Sequence, residues 1–83
     1  MQTVKIRCYG RLGESVGREL DFVIPDHCEV TELRQRLAKA FPHAAADLAR
    51  PAVRVCVDDV LVGETYRLSG ARLVELFPPL SGG

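Results

Sequence analysis

Residues 3–24 alternate between apolar and polar positions, as strands with one buried face do. A first strand over residues 3–9 and a second over residues 19–24 have these apolar positions: Val4, Ile6, Cys8, Leu20, Phe22 and Ile24. The connection over residues 10–17 is rich in glycine and has room for one helical turn. Because the connection is short, the two strands are predicted to form an antiparallel hairpin.

One amphipathic helix is predicted after the hairpin. Its apolar stripe has residues at steps of three and four, namely Val30, Leu33, Leu37, Ala40 and Phe41. Glu32 and Arg36 lie four residues apart on the opposite side, where they can pair in solvent. Pro42 ends the helix, and residues 44–49 suit a second short helix.

A third strand begins near residue 53. It has three valines on one face, Val53, Val55 and Val57. Asp58 and Asp59 are typical turn residues, and residues 60–62 form a short edge strand after them.

The last predicted strand covers residues 72–77 and follows a turn over residues 68–71. Its alternation places Val74 and Leu76 inward and Glu75 and Phe77 outward. The order of elements indicates an α+β domain in which a sheet wraps around one main helix. Parallel pairing of the first and last strands at the sheet centre would leave the following residues projecting from one end.

Composition describes one small domain and disfavours nucleic acid and membranes as partners. Hydrophobic residues make up 47% and charged residues 27% of the 83 residues, which is ordinary for a globular protein. The 11 Lys and Arg balance the 11 Asp and Glu, whereas phosphate binding relies on a positive surplus. The sequence shows neither an apolar run near the ~20 residues of a membrane span nor a signal-peptide core, so a cytoplasmic location is expected.

The cysteines Cys8, Cys28 and Cys56 are odd in number and have no CxxC spacing. In a reducing compartment they are expected to be free thiols, two of them in the core. Adding His27 and His43 gives no recognisable ligand spacing, so neither a metal site nor an iron–sulfur cluster is expected.

Residues 78–83 form a tail that is separate from the domain over residues 1–77. Pro78 and Pro79 fix φ and favour an extended path. Six residues reach at most ~20 Å, which is enough to cross the wall of a partner's active site. The prolines also limit the entropy that the tail loses when it enters such a channel.

The far end of the tail has the features of a reactive terminus. Leu80 is apolar, which suggests a contact made in a complex, and Ser81 can donate one hydrogen bond. Gly82 and Gly83 have no side chains, so the backbone can approach a partner closely. We expect the Gly83 carboxylate to be the reacting group, since the sequence indicates no internal base or nucleophile to compete with it.

Three segments resemble the small subunit of molybdopterin synthase. They are residues 4–17, residues 30–37, and the run Leu76-Phe77-Pro78-Pro79-Leu80-Ser81-Gly82-Gly83. The run is the most specific, since that family commonly ends in two aromatic residues, two prolines, an aliphatic residue, Ser or Thr, and two glycines. The resemblance covers nearly the whole chain and implies a β-grasp, ubiquitin-like fold.

The resemblance also implies a sulfur carrier in molybdenum cofactor biosynthesis. In that family an E1-like adenylating enzyme uses ATP to convert the terminal glycine, here Gly83, to an acyl-adenylate, and a sulfur donor then makes the thiocarboxylate. The tail enters the large subunit of the synthase, a heterotetramer in this family, and gives sulfur to a cyclic pterin precursor to form the molybdopterin dithiolene. The chain would not be catalytic alone and would bind no cofactor itself.

Four residues near the tail are predicted to contact partners: Phe77 as an aromatic anchor, with Leu76, Glu75 and Arg11 around it. For Phe77, an ordinary partly buried strand position is the alternative. The chain departs from the family pattern here, because a small residue is usual at Glu75 and an aromatic one at Leu76. Residues 70–72 replace a usually acidic, glycine-containing turn.

Three other interpretations stay open. A sulfur carrier of thiamin thiazole synthesis also ends in two glycines, although it is generally shorter and lacks the proline run. A ubiquitin-like modifier that forms isopeptide bonds fits the two glycines equally well. A β-grasp interaction module without tail chemistry is the third.

Overall fold

The computed structural model describes residues 1–79; the predicted tail positions Leu80, Ser81, Gly82 and Gly83 lie outside the described residues. The elements are β1 (Gln2–Cys8), α1 (Arg11–Ser15), β2 (Glu19–Ile24), α2 (Val30–Ala40), a 3₁₀ helix (Pro42–Ala44), α3 (Ala45–Leu48), β3 (Arg54–Val57), β4 (Val60–Val62) and β5 (Leu73–Phe77). These elements match the predicted order.

The described strands form one mixed sheet in the order β2-β1-β5-β3-β4. The predicted hairpin is confirmed, since β1 and β2 are antiparallel with Val4 opposite Phe22. The central pair, β1 and β5, is parallel with Ile6 opposite Val74, which confirms the predicted pairing of the first and last strands. β5 therefore has a neighbour on each side, and the chain leaves its end from the middle of the sheet.

The turn between β3 and β4 shows why two aspartates stand there. Asp58 and Asp59 have φ values of 48° and 71°. A two-residue hairpin turn with positive φ at both central positions matches the twist of the strands, and Asp tolerates this conformation better than most residues. An Asp58 oxygen also accepts hydrogen bonds from the backbone N–H groups of Arg72 and Leu73, at 3.1 and 2.9 Å. The turn thus fixes the start of β5.

One core lies between the inner face of the sheet and α2. Its fully or almost fully buried members include Val4, Ile6 and Cys8 of β1, Val30, Leu33 and Leu37 of α2, Val55 and Val57 of β3, and Val74 and Leu76 of β5. Burying each aliphatic side chain stabilises the fold by roughly 1.5–3 kcal/mol. The arrangement of five strands around one main helix is the predicted α+β, β-grasp fold.

The predicted apolar stripe of α2 is wrong at Ala40, whereas Phe41 packs against the core from just beyond the end of the helix. Ala40 is exposed and Phe41 is half-buried after the helix, while Ala38 is half-buried against the core. The residue before a proline avoids the α conformation, and Phe41 leaves the helix with φ −129° and ψ 73° ahead of Pro42. The chain turns away before the stripe can continue.

Arg34 is a buried charge that the stripe did not reveal. Its Nη1 donates to the backbone carbonyls of Leu48 at 3.0 Å and Arg50 at 3.2 Å, and its Nη2 donates to that of Val53 at 2.6 Å. Its Nε and Nη2 also donate to the Glu64 carboxylate at 3.1 and 2.8 Å. We call these five residues the Arg34 cluster; it ties α2 to the segments before β3 and after β4, and it satisfies the charge that burial would otherwise penalise.

The three cysteines are free thiols. Cys8 and Cys28 are buried, which confirms two core cysteines, and Cys56 is half-buried. Burial raises the pKa of the Cys8 thiol to about 11 and also raises that of Cys28. Within residues 1–79, the structure brings together no group of three His, Cys, Asp or Glu side chains that could hold a metal ion.

Among the helices of the described part of the chain, none is long and apolar enough to span a membrane.

Candidate functional site

The candidate site lies where β5 ends. Glu75 and Phe77 point to the outer face of the sheet and Val74 and Leu76 to the core, as the alternation predicts. The partner-binding role predicted for Leu76 is corrected, because its side chain is fully buried and has no surface to offer a partner. Leu76 contributes through its backbone instead: its carbonyl accepts a hydrogen bond from Tyr9 N–H at 3.2 Å, one step beyond the β1–β5 ladder.

The rings of Tyr9 and Phe77 stack on each other, and we call this aromatic pair the aromatic platform. Their ring centroids are 4.7 Å apart and the ring planes differ by only 6°. An aromatic pair contributes ~0.5–1.5 kcal/mol beyond its buried area. Phe77 is thus held in place by a partner ring, and Tyr9 stays 38% exposed. The platform is an apolar surface at the point where the tail begins.

Sequence reasoning missed Tyr9, although a signal for it existed. The alternation over residues 3–9 puts Tyr9 on the outer side with Lys5 and Arg7. Parallel pairing of the first and last strands sets Cys8 beside Leu76, so the next outward residues of the two strands become neighbours. The sequence predicts that the first and last strands pair, but it does not predict which residue of one lies opposite which residue of the other.

Glu75 fixes the hydroxyl end of the Tyr9 side chain. The Tyr9 hydroxyl donates a hydrogen bond to a Glu75 carboxylate oxygen. This hydrogen bond, followed by burial and the negative charge of Glu75, raises the pKa of the Tyr9 phenol. The phenol therefore stays protonated at neutral pH and serves as a donor. Glu75, predicted as part of a polar rim, is an outward carboxylate beside the aromatic platform.

Gly10 gives the first tail proline its place. Gly10 has φ +60° and precedes α1, a backbone conformation that residues with a side chain rarely adopt. A Cβ atom on Gly10 would lie 2.8 Å from Cγ of Pro78, closer than real carbon atoms approach. Pro78 and Pro79 are both half-buried. The β1–α1 connection therefore packs against the beginning of the tail.

Arg11 follows Gly10 directly and begins α1. Its side chain is 79% exposed and reaches Asp47 at 3.8 Å, a long and solvated ion pair. Such a pair contributes little to stability. Arg11 is accordingly an accessible cation next to the base of the tail, as a rim residue would be.

The outer face of β1 and β2 carries a small ionic group. Glu19 pairs with Arg7 at 2.9 Å and with Lys5 at 3.5 Å. The hydrogen bond from Arg7, together with the charges of Lys5 and Arg7, lowers the pKa of Glu19. Across the sheet, Arg54 of β3 stands opposite Phe77. The platform thus has polar and charged residues around it, which is the usual anatomy of a protein-binding surface.

The groups around the tail base are suited to binding rather than to covalent chemistry. Tyr9 stays protonated because its pKa is raised. The Cys8 thiol, with a pKa of about 11, is 2% exposed and stays protonated inside the core. Neither group is a nucleophile or a base at neutral pH. What the described residues offer is an aromatic pair with charged neighbours, beside Pro78 packed against Gly10.

A shallow cavity of about 340 Å³ lies elsewhere, between α2 and the segments around α3 and β4. Arg34 and Glu64 line it, but they are already bonded to each other and Arg34 also to backbone carbonyls. The cavity is therefore explained as the outer side of the Arg34 cluster.

Comparison with solved structures gives whole-chain similarity to small ubiquitin-like proteins. Small archaeal modifier protein 1 from Haloferax volcanii superposes with a TM-score of 0.82 at 18% identity, covering 99% of this chain and 100% of that one. A protein from Pyrococcus furiosus assigned as molybdopterin converting factor, subunit 1, has a TM-score of 0.81 at 20% identity and covers 94% and 98%. Small archaeal modifier protein 1 from Methanosarcina acetivorans has a TM-score of 0.74 at 17% identity and covers 98% and 96%. At these identities the similarity concerns the fold.

Sequence comparison identifies the family. No curated protein matches this chain in sequence. The model of the ThiS family matches residues 6–83, a stretch that includes the aromatic platform, Gly10 and the whole tail. The chain therefore belongs to the ThiS family and is a ubiquitin-like sulfur carrier or modifier of the ThiS/MoaD type.

Proposed function

We propose that this protein is the sulfur carrier of molybdenum cofactor biosynthesis and acts as the small subunit of molybdopterin synthase. Its reacting group is the carboxylate of Gly83. The observation that carries the proposal is the run Phe77-Pro78-Pro79-Leu80-Ser81-Gly82-Gly83, which continues directly from the central strand of a ThiS-family domain. The fold similarity to a Pyrococcus furiosus protein assigned as molybdopterin converting factor, subunit 1, supports the choice of pathway.

The proposed chemistry begins with activation. A C-terminal carboxylate has a pKa near 3.3–3.7 and is a poor electrophile as an anion. An E1-like adenylating enzyme joins the carboxylate oxygen to the α-phosphate of ATP, and diphosphate leaves. Hydrosulfide supplied by the sulfur donor then attacks the acyl carbon, the bond from that carbon to the AMP oxygen breaks so that AMP leaves, and loss of the sulfur-bound proton gives a thiocarboxylate on Gly83.

The second stage is sulfur transfer. The tail enters the large subunit of the synthase and gives its sulfur to the cyclic pterin precursor, towards the dithiolene of molybdopterin. The catalytic side chains belong to the partners, and ATP is used by the activating enzyme rather than held by this chain. We also propose that this happens in the cytoplasm, where the three free thiols stay reduced.

The residues of the site have separate tasks in this proposal. The aromatic platform is the apolar anchor on the partner, with Glu75 and Arg11 at its rim. Pro78 and Pro79 keep the tail extended. Beyond them, Leu80 makes an apolar contact, Ser81 a hydrogen bond, and Gly82 leaves room for the partner's active site around Gly83.

Deletion of Gly82 and Gly83 tests the proposal. The truncated protein keeps every contact of residues 1–79, so it is expected to unfold at the same temperature as the full chain. In a reconstituted system with large subunit, activating enzyme, ATP, sulfur donor and pterin precursor, it is expected to form no molybdopterin. Molybdopterin formation by the truncated protein would show that the tail end is not the reacting group.

Protein modification is a second candidate function, favoured by the 99% coverage in the superposition on small archaeal modifier protein 1 from Haloferax volcanii. The two functions differ in the product of the activated glycine. Isopeptide-linked conjugates on lysines indicate a modifier, whereas a discrete thiocarboxylate indicates a carrier.

A carrier for thiamin thiazole synthesis is a third candidate, favoured by the ThiS-family match. Supplying the thiocarboxylate form with either the pterin precursor or the thiazole-forming enzyme separates the two pathways. We expect the sulfur of the thiocarboxylate to be consumed when the pterin precursor and large subunit are supplied, and not when the thiazole-forming enzyme is supplied.

A further inference from the structure

We propose that Tyr9 and Gly10 are positioning residues that fix the direction in which the tail leaves β5. They form, with Glu75, Phe77 and Pro78, a unit that we call the tail bracket. The inference rests on the proposed function, because the direction of the tail matters only if its end reacts inside a partner. The new point is that contacts within this chain fix the position of Pro78, the first residue of the tail, before a partner binds.

The first part of the tail bracket is steric. Pro78 occupies the space that a side chain on Gly10 would fill, with 2.8 Å from the ideal Cβ position to Pro78 Cγ. The proline ring fixes φ of Pro78, and contact with Gly10 limits where the ring can lie. Gly70 offers a matched contrast, because its φ of +74° is similar but nothing lies within 4 Å of its Cβ position.

The second part is the three-point attachment of Tyr9. Its backbone N–H donates to Leu76 at 3.2 Å, its ring stacks on Phe77, and its hydroxyl donates to Glu75. These contacts bind β1 to the last three residues of β5. The ring of Phe77, the residue before Pro78, is thus held from one face. An exposed tyrosine with no platform contact, Tyr66, is 46% exposed in the segment after β4.

The consequence is a tail that loses less freedom on binding. Ordering a flexible residue costs free energy, so a base that is ordered in advance favours association. Loosening the tail bracket removes binding that is shared by the ground state and the transition state. Such a loss raises KM and leaves kcat nearly unchanged.

The experiment compares Gly10→Ala, Tyr9→Leu and Tyr9→Phe with the matched controls Gly70→Ala, Tyr66→Leu and Tyr66→Phe. The melting temperature of each full-length variant is measured first. The variant is then used as the substrate of the E1-like enzyme with ATP, and its KM and kcat are measured for formation of the acyl-adenylate. Gly10→Ala and Tyr9→Leu are expected to raise KM about three- to tenfold relative to their controls, with kcat within about twofold. Tyr9→Phe keeps the stack and loses the hydrogen bond, so its KM is expected to rise about two- to threefold.

Hydrogen exchange at the Tyr9 amide gives a readout that does not depend on the enzyme. Exchange at residue 9 is expected to be faster in Tyr9→Leu than in Tyr66→Leu, by more than the difference in their melting temperatures explains, and Tyr9→Leu keeps the test valid if Gly10→Ala does not fold. Equal KM values for bracket and control variants, with an active wild-type protein, would overturn the tail bracket and leave the proposed function standing. A wild-type protein that forms no acyl-adenylate would overturn the proposed function and the inference together.

Discussion

The Arg34 cluster and the tail bracket each contain a hydrogen-bonded charged side chain, but the charge of Arg34 is buried and that of Glu75 lies on the outer face of the sheet. Arg34 is buried, and its guanidinium donates to three backbone carbonyls and one carboxylate. In the tail bracket, Tyr9 and Glu75 are joined by one hydrogen bond on the outer face of the sheet. The first joins segments that must stay together for the chain to fold, whereas the second holds the base of a tail. We therefore expect substitutions around α2 to change mainly stability, and substitutions at the end of β5 to change mainly the proposed partner binding.

The largest expected effect comes from breaking the Arg34 cluster. Arg34→Met leaves the carbonyls of Leu48 and Val53 without their donor, so a loss of about 2–4 kcal/mol in the free energy of unfolding is expected. Urea denaturation measures it. Arg36→Met is the matched control on the same helix, because among residues 1–79 Arg36 pairs only with Glu32, in solvent at 2.7 Å, and such a pair is worth about 0.3–0.5 kcal/mol. Equal losses for the two variants would contradict the stabilising role of Arg34.

A pH-dependent loss of stability is expected from Cys8, which lies beneath the tail bracket in the core. Its folded-state pKa of about 11 is raised above the ordinary value of 9.0, so folding binds the proton more tightly. The stabilisation is fully present below about pH 9 and is lost as pH rises towards 11, by about 1–2 kcal/mol at pH 10.5. Cys28 acts in the same direction, since its pKa is also raised.

Urea denaturation at about pH 8 and pH 10.5 checks this dependence. Cys8→Ala should reduce the dependence without abolishing it, because Cys28 and Tyr9, whose pKa values are also raised, remain. A slope that is unchanged by Cys8→Ala would show that another group is responsible.

A smaller stability effect is expected in the tail bracket itself. Tyr9→Phe keeps the ring stack on Phe77 and loses one exposed hydrogen bond, so the free energy of unfolding should fall by much less than in Arg34→Met. Thermal melts of Tyr9→Phe and Tyr66→Phe provide the comparison. A loss as large as that of Arg34→Met would mean that the tail bracket is part of the folding framework, and the contrast between the two regions would disappear.

The smallest effect is expected for the ionic group of Lys5, Arg7 and Glu19. Glu19→Gln removes both pairs, but all three side chains are substantially exposed, so the change in the free energy of unfolding should be smaller than that of Tyr9→Phe. It should shrink further at high salt, where surface charges are screened. A salt-independent loss would indicate a contact other than the ion pairs.

Most of the fold followed from local patterns, and the exceptions have a common cause. Alternation identified the inward residues of β1, β3 and β5, and the helical spacing found Val30, Leu33 and Leu37. The burial of Arg34 was not predicted, because its hydrogen-bond partners are 14 to 30 residues away along the chain. No local period contains such contacts.

The candidate site was predicted only in part, because it combines residues of two strands whose register no local pattern gives. Phe77 and Glu75 were placed outward by the alternation of one strand. Tyr9 was missed because the register between β1 and β5 decides which outward residues meet. Leu76 was predicted both to point inward and to contact partners, and the two predictions conflict, because alternation turns only one of two consecutive strand residues outward.

The central claim is that Gly83 carries sulfur, and intact-mass spectrometry tests it most directly. The full-length protein is incubated with an E1-like enzyme, ATP and a sulfur source, beside the protein that lacks Gly82 and Gly83. We predict that one oxygen is exchanged for one sulfur at Gly83 of the full chain and that the mass of the truncated protein does not change. An unchanged mass for the full chain, in a reaction where a known carrier is converted, would contradict the account.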